Sequence, residues 1–108
     1  MSPWLTIVRT QRYGDDLVAV GEFIEEDNPD AALALLLHIE DQVDSLADPN
    51  FPRRKGRKAG TLELVVHPNY IVVFAQTDTT VTVFNLLHVA RRLKWTPHLG
   101  QLFKWDTV

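Results

Sequence analysis

The chain contains no cysteine. That absence removes disulfides, zinc–thiolate sites and thiol nucleophiles from consideration, and it fits a reducing cytoplasm, the expected location. Long apolar runs are missing too. The longest uncharged one, Ala31 to Leu37, has seven residues, where a membrane-spanning helix needs roughly 20. The opening MSPWLTIVRTQ shows no basic region followed by an apolar core, so no signal peptide is expected. No Gly-rich phosphate loop of Walker or Rossmann type is present, which argues against a nucleotide enzyme. His38, His67 and His98 match no zinc or metalloprotease spacing, so the expectation is no metal and no cofactor.

Basic residues are nearly absent from the first half. Residues 1–52 carry only Arg9 and Arg12 against eleven acidic residues, whereas residues 53–108 carry nine basic and three acidic ones. The formal net charge of −3 hides this division. It points to a polyanionic or acidic partner for the second half, or to acidic helices and a basic loop complementing each other within the fold. Five of the nine cations crowd into six positions: Arg53, Arg54, Lys55, Arg57 and Lys58, interrupted by Gly56. Such a segment reads as a flexible cationic loop, able to meet phosphates or acidic side chains, or simply a solvated surface.

At 108 residues the chain is expected to be one domain with a modest core. Residues 4–8, WLTIV, suit a short strand. Gly14-Asp15-Asp16 looks like the start of a first helix ending near Asp27, with Leu17, Val20, Gly21 and Ile24 recurring at helical spacing. Asn28 then caps a second helix, Pro29 fills its first position, and Asp48-Pro49-Asn50 stops it. Ala32, Leu36, Ile39, Val43 and Leu46 form its core stripe, with Glu40, Asp41 and Asp44 turned outward. Leu33, Leu35 and Leu37 widen the apolar surface beyond that stripe, which calls for a second neighbour or a partner. Three further strands are expected at 61–67, 70–76 and 80–86, joined by turns at His67-Pro68-Asn69 and Thr77-Asp78-Thr79. Short connections favour an antiparallel meander. The resulting class is α+β, in the order β-α-α-β-β-β, with a helical hairpin packed on a small, mainly antiparallel sheet. Residues 96–108 form a tail, apolar enough to dock on the domain or a partner, although Pro97 and Gly100 interrupt it.

After the last expected strand stand His88, Arg91 and Arg92. An arginine here can grip phosphate and a histidine can exchange a proton near neutral pH. Equally, Arg91 can pair with the acidic helices and His88 can be a partly buried structural residue.

Four pieces, in order, resemble the RelE/ParE superfamily of bacterial toxins. They are Asp27-Asn28-Pro29 opening a long helix, GRKAGTLELVV from Gly56 to Val66, PNYIVVF from Pro68, and Leu87-His88-x-Ala90-Arg91. The likeness spans roughly residues 4 to 95, taken as the toxin domain 1–95, and lies closest to the ParE-like branch, the plasmid stabilisation proteins. In ribonuclease members an arginine matching Arg91 assists messenger cleavage, and a second arginine sits where this chain has Ile71. Those members also carry a tyrosine or histidine near the carboxyl end, where this chain has Trp95, with His98 nearby. Cutting RNA needs a base, an acid and charge stabilisation, and the set is incomplete here. The family run usually reads GTRELVV, whereas Leu62 replaces its arginine.

The resemblance therefore implies the toxin of a type II toxin–antitoxin pair, inhibiting DNA gyrase by binding rather than by catalysis. Its target contacts would be Arg53, Arg54, Lys55, Arg57, Lys58, Arg91 and Arg92. A cognate antitoxin would form a hetero-oligomer with it, with Leu33 and Leu37 as the contact, and no membrane is involved. One alternative is a RelE-type ribosome-dependent mRNA endonuclease using Arg91 and His88. Another is an inactive binding subunit of a toxin–antitoxin complex.

Overall fold

The computed structural model describes residues 4–25 and 28–89. Its elements are β1 (Thr6–Arg9), α1 (Gln11–Glu25), α2 (Pro29–Ser45), β2 (Arg54–Lys55), β3 (Leu62–His67), β4 (Tyr70–Gln76) and β5 (Thr80–His88). The strands make one sheet in the order β1-β5-β4-β3-β2. β3, β4 and β5 form the expected antiparallel meander, while β1 pairs in parallel with β5. The architecture is thus α+β, with the expected order kept and one short strand, β2, added.

The core lies between the helical hairpin and one sheet face. Leu64 and Val66 of β3, Tyr70, Val72 and Phe74 of β4, and Val81, Val83 and Leu86 of β5 meet Tyr13, Val20, Ile39, Val43 and Leu46. Each such side chain contributes about 1.5–3 kcal/mol on leaving water. α2 is built as its sequence dictates. The Asn28 Oδ1 accepts from the Ala31 N–H at 3.0 Å, and Pro29 fills the first turn, where its missing donor has no cost.

Elsewhere the chain departs from the sequence reading. α1 begins at Gln11, three residues before Gly14, because the Thr10 hydroxyl accepts from the Tyr13 N–H at 3.2 Å and donates to the Phe84 carbonyl at 2.8 Å. Asp16 does not serve the helix start; its carboxylate accepts from the Leu86 N–H at 3.0 Å and ties α1 to β5. The first strand slides to Thr6–Arg9, the register that pairs Thr6 with Thr80 and Arg9 with Val83. Glu40 sits at the rim of the core and not fully outward, accepting from Arg9 at 2.9 Å and from the Tyr13 hydroxyl at 3.4 Å. Burial, and then the Glu40 charge, pushes the Tyr13 phenol well above its ordinary value.

β5 runs two residues further than expected and carries a bulge. Asn85 lies opposite Val73 and Val83 opposite Phe74, leaving Phe84 as the extra residue. The bulge resets the alternation. Val81 and Val83 face the helices before it, Leu86 and His88 after it, and Asn85 and Leu87 face away.

Candidate functional site

The cationic segment is a tight hairpin and not a flexible loop. Arg54 pairs with Glu63 and Lys55 with Leu62 across β2 and β3. The closing loop is tied by Gly56 N–H to Thr61 O at 2.9 Å, Thr61 N–H to Lys58 O at 3.1 Å, and the Thr61 hydroxyl to the same carbonyl at 2.7 Å. Gly60 adopts a φ of +83°, a conformation that favours glycine. At Gly56 a Cβ would lie 2.2 Å from the Thr61 hydroxyl and 2.9 Å from the Thr61 carbonyl oxygen, so only glycine allows the loop ends to meet.

The five cations of this hairpin divide into two groups. Arg53 turns to the helical side. Its Nε donates to Phe51 O at 2.9 Å, its terminal nitrogens reach Gln76 Oε1 and Asp48 O, and its guanidinium lies 5.9 Å from the Phe74 ring centre. Burial lowers its pKa, with Asp48 opposing. Arg54 turns to the other face and donates to Glu63 Oε1 from Nε at 3.2 Å and from Nη2 at 3.1 Å. The Arg57 N–H reaches Glu63 Oε2 at 3.3 Å. Arg53 and Arg54, counted among the target-contact cations, are therefore held by partners within the fold, although the Arg54 side chain stays 54% exposed; the side chains of Lys55, Arg57 and Lys58 are exposed as well. A cleft lined by Pro52, Arg53, Arg54, Glu63, Leu64 and Val65 follows the outer edge of β3.

The sheet face away from the helices reads in rows. One row runs Arg54, Glu63, Val73, Asn85, and the next runs Val65, Ile71, Leu87. Glu63 and Asn85 are buried polar residues on this face. Sequence reasoning noted Glu63 only as the single charge in an apolar run and passed over Asn85. Among the described residues neither amide atom of Asn85 has a hydrogen-bond partner. Ile71, the position where ribonuclease members of the superfamily carry an arginine, is buried in an apolar row.

His88 does not face that row. It pairs with Tyr70 on the helical side, with its ring edge-on to Tyr70 at 4.8 Å and to Phe23 at 6.4 Å between centres. Arg91 and Arg92, with Trp95, His98 and the tail 96–108, lie outside the described residues. On the helical hairpin Leu33 and Leu37 are 60% and 62% exposed, and Val18 and Phe23 of α1 are also exposed. Among the described residues no group of three or more His, Asp or Glu side chains is placed to hold a metal, and no helix is long and apolar enough to cross a membrane.

Residues 7–93 match the model of the ParE toxin of the type II toxin–antitoxin system parDE. This chain belongs to the ParE toxin family. Its sheet order, helical hairpin and basic β2–β3 hairpin are thus the frame of a type II toxin. A curated relative, toxin RelE2 of Caulobacter vibrioides, is 35% identical over 86 residues, covering 79% of this chain and 96% of that protein. Another, the putative toxin Y4kP of Sinorhizobium fredii, is 32% identical over 69 residues, covering 64% and 72%. Among solved structures, the chromosomal ParDE system of P. aeruginosa superposes with a TM-score of 0.73 at 18% identity, covering 82% of this chain and 99% of that one. The E. coli DinJ–YafQ toxin–antitoxin complex gives 0.52 at 16% identity, covering 82% and 96%. The likeness to both solved structures is one of fold.

Proposed function

We propose that this ParE-family toxin inhibits DNA gyrase by binding it, and that a cognate antitoxin neutralises it by covering the apolar side of the helical hairpin. The observation that carries the first part is the row Val65, Ile71, Leu87. A ribonuclease needs a base, an acid and a cation converging on the scissile phosphate. On this face the described residues offer an apolar row beside a carboxylate already held by Arg54, and His88 points the other way. A binding toxin needs none of those groups. It needs a rigid surface of suitable charge, and the tied β2–β3 hairpin holds Lys55, Arg57 and Lys58 out from the fold as such a surface, with Arg91 and Arg92 as further contacts. Leu33 and Leu37 lie one helical turn apart and outside the core stripe, where an apolar antitoxin segment would seat.

The likeness in sequence to a toxin that carries the RelE name favours the second reading, cleavage of messenger RNA at the ribosome. Expression of the chain alone in bacteria carrying a DNA-damage reporter separates the two. Growth arrest with the reporter on is the expected result. Arrest with a silent reporter moves the reading to messenger cleavage, and soluble protein without arrest identifies an inactive binding subunit.

A further inference from the structure

Between Arg53 and Leu62 the chain carries five cations and no carboxylate side chain. The next residue, Glu63, is held by Arg54 and by the Arg57 N–H, so its charge is answered inside the fold. Among the described residues the side chains of Lys55 and Arg57 enter no ion pair or hydrogen bond. Residues 57–60, at the tip of the β2–β3 hairpin, are all exposed. The tip is also tied. The Thr61 N–H and hydroxyl both bond to the Lys58 carbonyl, and the Gly56 N–H closes the neck. A backbone already ordered presents its cations without an ordering cost on binding.

We infer that this tip binds the phosphate backbone of duplex DNA. Uncompensated cations select a polyanion, and the rest of the tip selects which one. A protein interface centres on large apolar or aromatic anchors, whereas residues 56–61 are Gly, Arg, Lys, Ala, Gly and Thr. Single strands are held by stacking their bases on aromatic side chains, and residues 53–61 contain none. Duplex RNA has a deep, narrow major groove that side chains do not enter. The major groove of B-DNA, about 12 Å wide, admits a two-stranded ribbon. Lys55, Arg57 and Lys58 then lie against phosphates, so the contact is largely independent of sequence. The first half of the chain, with eleven acidic residues against two basic ones, is repelled by the same backbone, which turns the hairpin toward it. The inference rests on the gyrase reading for where the duplex is met, while the contact itself requires only the chain and DNA.

The test is fluorescence anisotropy of a short labelled DNA duplex titrated with the purified full-length chain, without gyrase. Two or three phosphate contacts predict that affinity falls about tenfold to fortyfold between about 50 and 200 mM salt. Lys55→Gln combined with Arg57→Gln should weaken binding about tenfold at low salt and flatten the salt dependence. Arg12→Gln, on the exposed start of α1, should leave both unchanged. Single-stranded DNA and duplex RNA of the same sequence should bind about tenfold more weakly than the DNA duplex. No binding by the parent at low salt overturns the proposal. So does parental affinity in a double variant whose urea midpoint matches the parent's, or a preference for single strands or RNA. Failure to bind DNA, with the DNA-damage reporter still responding to the chain, strikes the hairpin contact and leaves the gyrase reading in place. Binding that depends on Lys55 and Arg57, with the reporter silent, does the reverse.

Discussion

Glu63 of β3 is a buried carboxylate whose cation comes from β2: both Nε and Nη2 of Arg54 donate to its Oε1. The pair fastens the basic hairpin to the sheet. Removing one partner is more costly than removing both, because a buried charge without its counterion retains its full desolvation penalty. Because the Arg54 side chain is 54% exposed and Glu63 keeps its bond from the Arg57 N–H, Arg54→Ala is expected to lower stability by about 1–2 kcal/mol, read from urea unfolding. Arg54→Leu combined with Glu63→Leu should recover most of that loss. If the double variant is as unstable as Arg54→Ala, the pair is not the fastening.

Gly56→Ala tests the hairpin from its other end. The new Cβ meets the Thr61 hydroxyl and backbone at distances real structures avoid. Rotating the hydroxyl away relieves the first contact but not the clash with the carbonyl. A loss of roughly 1–3 kcal/mol is expected. Amide exchange should rise at Gly56 and Thr61, whose N–H groups close the loop, while exchange in β4 stays slow. Stability equal to the parent would show that the loop ends are free to separate.

Asp16 gives a dependence on pH with a definite sign. Burial raises its carboxyl pKa, and the Leu86 N–H and Arg12 only partly oppose it. A carboxyl raised in the folded state holds its proton more tightly there than in the unfolded chain. Its contribution is most favourable below the unfolded pKa and declines as pH rises through the folded one. Asp16→Asn keeps an oxygen acceptor for Leu86 and removes the charge. Its stability relative to the parent should therefore increase between pH 3 and pH 6 (about the carboxylate range) and then level off. A constant difference in denaturant midpoint across that range would contradict the assignment.

What the sequence could reveal follows from how local each cause is. The cap at Asn28, the stop at Asp48, the turn at Thr77 and the bounds of β4 depend on residues within a few positions, and all were legible. The start of α1 was misplaced because the acidic pair at Asp15 and Asp16 suggested a helix start, whereas the working cap is the Thr10 hydroxyl. β2 exists only through its pairing with β3, and two residues carry no period of their own. The face of His88 depends on the bulge at Phe84. A strict alternation counted from Val81 would turn His88 away from the helices, and the extra residue turns it toward Tyr70. Glu63 and Asn85 were visible as letters, but nothing local to either residue announces its burial.

Leu37 bears on the antitoxin. It is 62% exposed on α2 and is no part of the core, so Leu37→Glu should leave unfolding nearly unchanged, within about 0.5 kcal/mol. If the hairpin face receives an apolar antitoxin segment, the same change places a charge in a closing interface. The expected loss of affinity is about tenfold to a hundredfold, or roughly 1.4–2.8 kcal/mol. Leu33→Glu should behave alike, being one turn away on the same side, whereas Lys55→Glu should leave antitoxin affinity in place if that hairpin serves only the target. Titration of the purified antitoxin against each variant measures all three. An intact fold with unchanged affinity in Leu37→Glu would move the antitoxin off this face and onto the basic side.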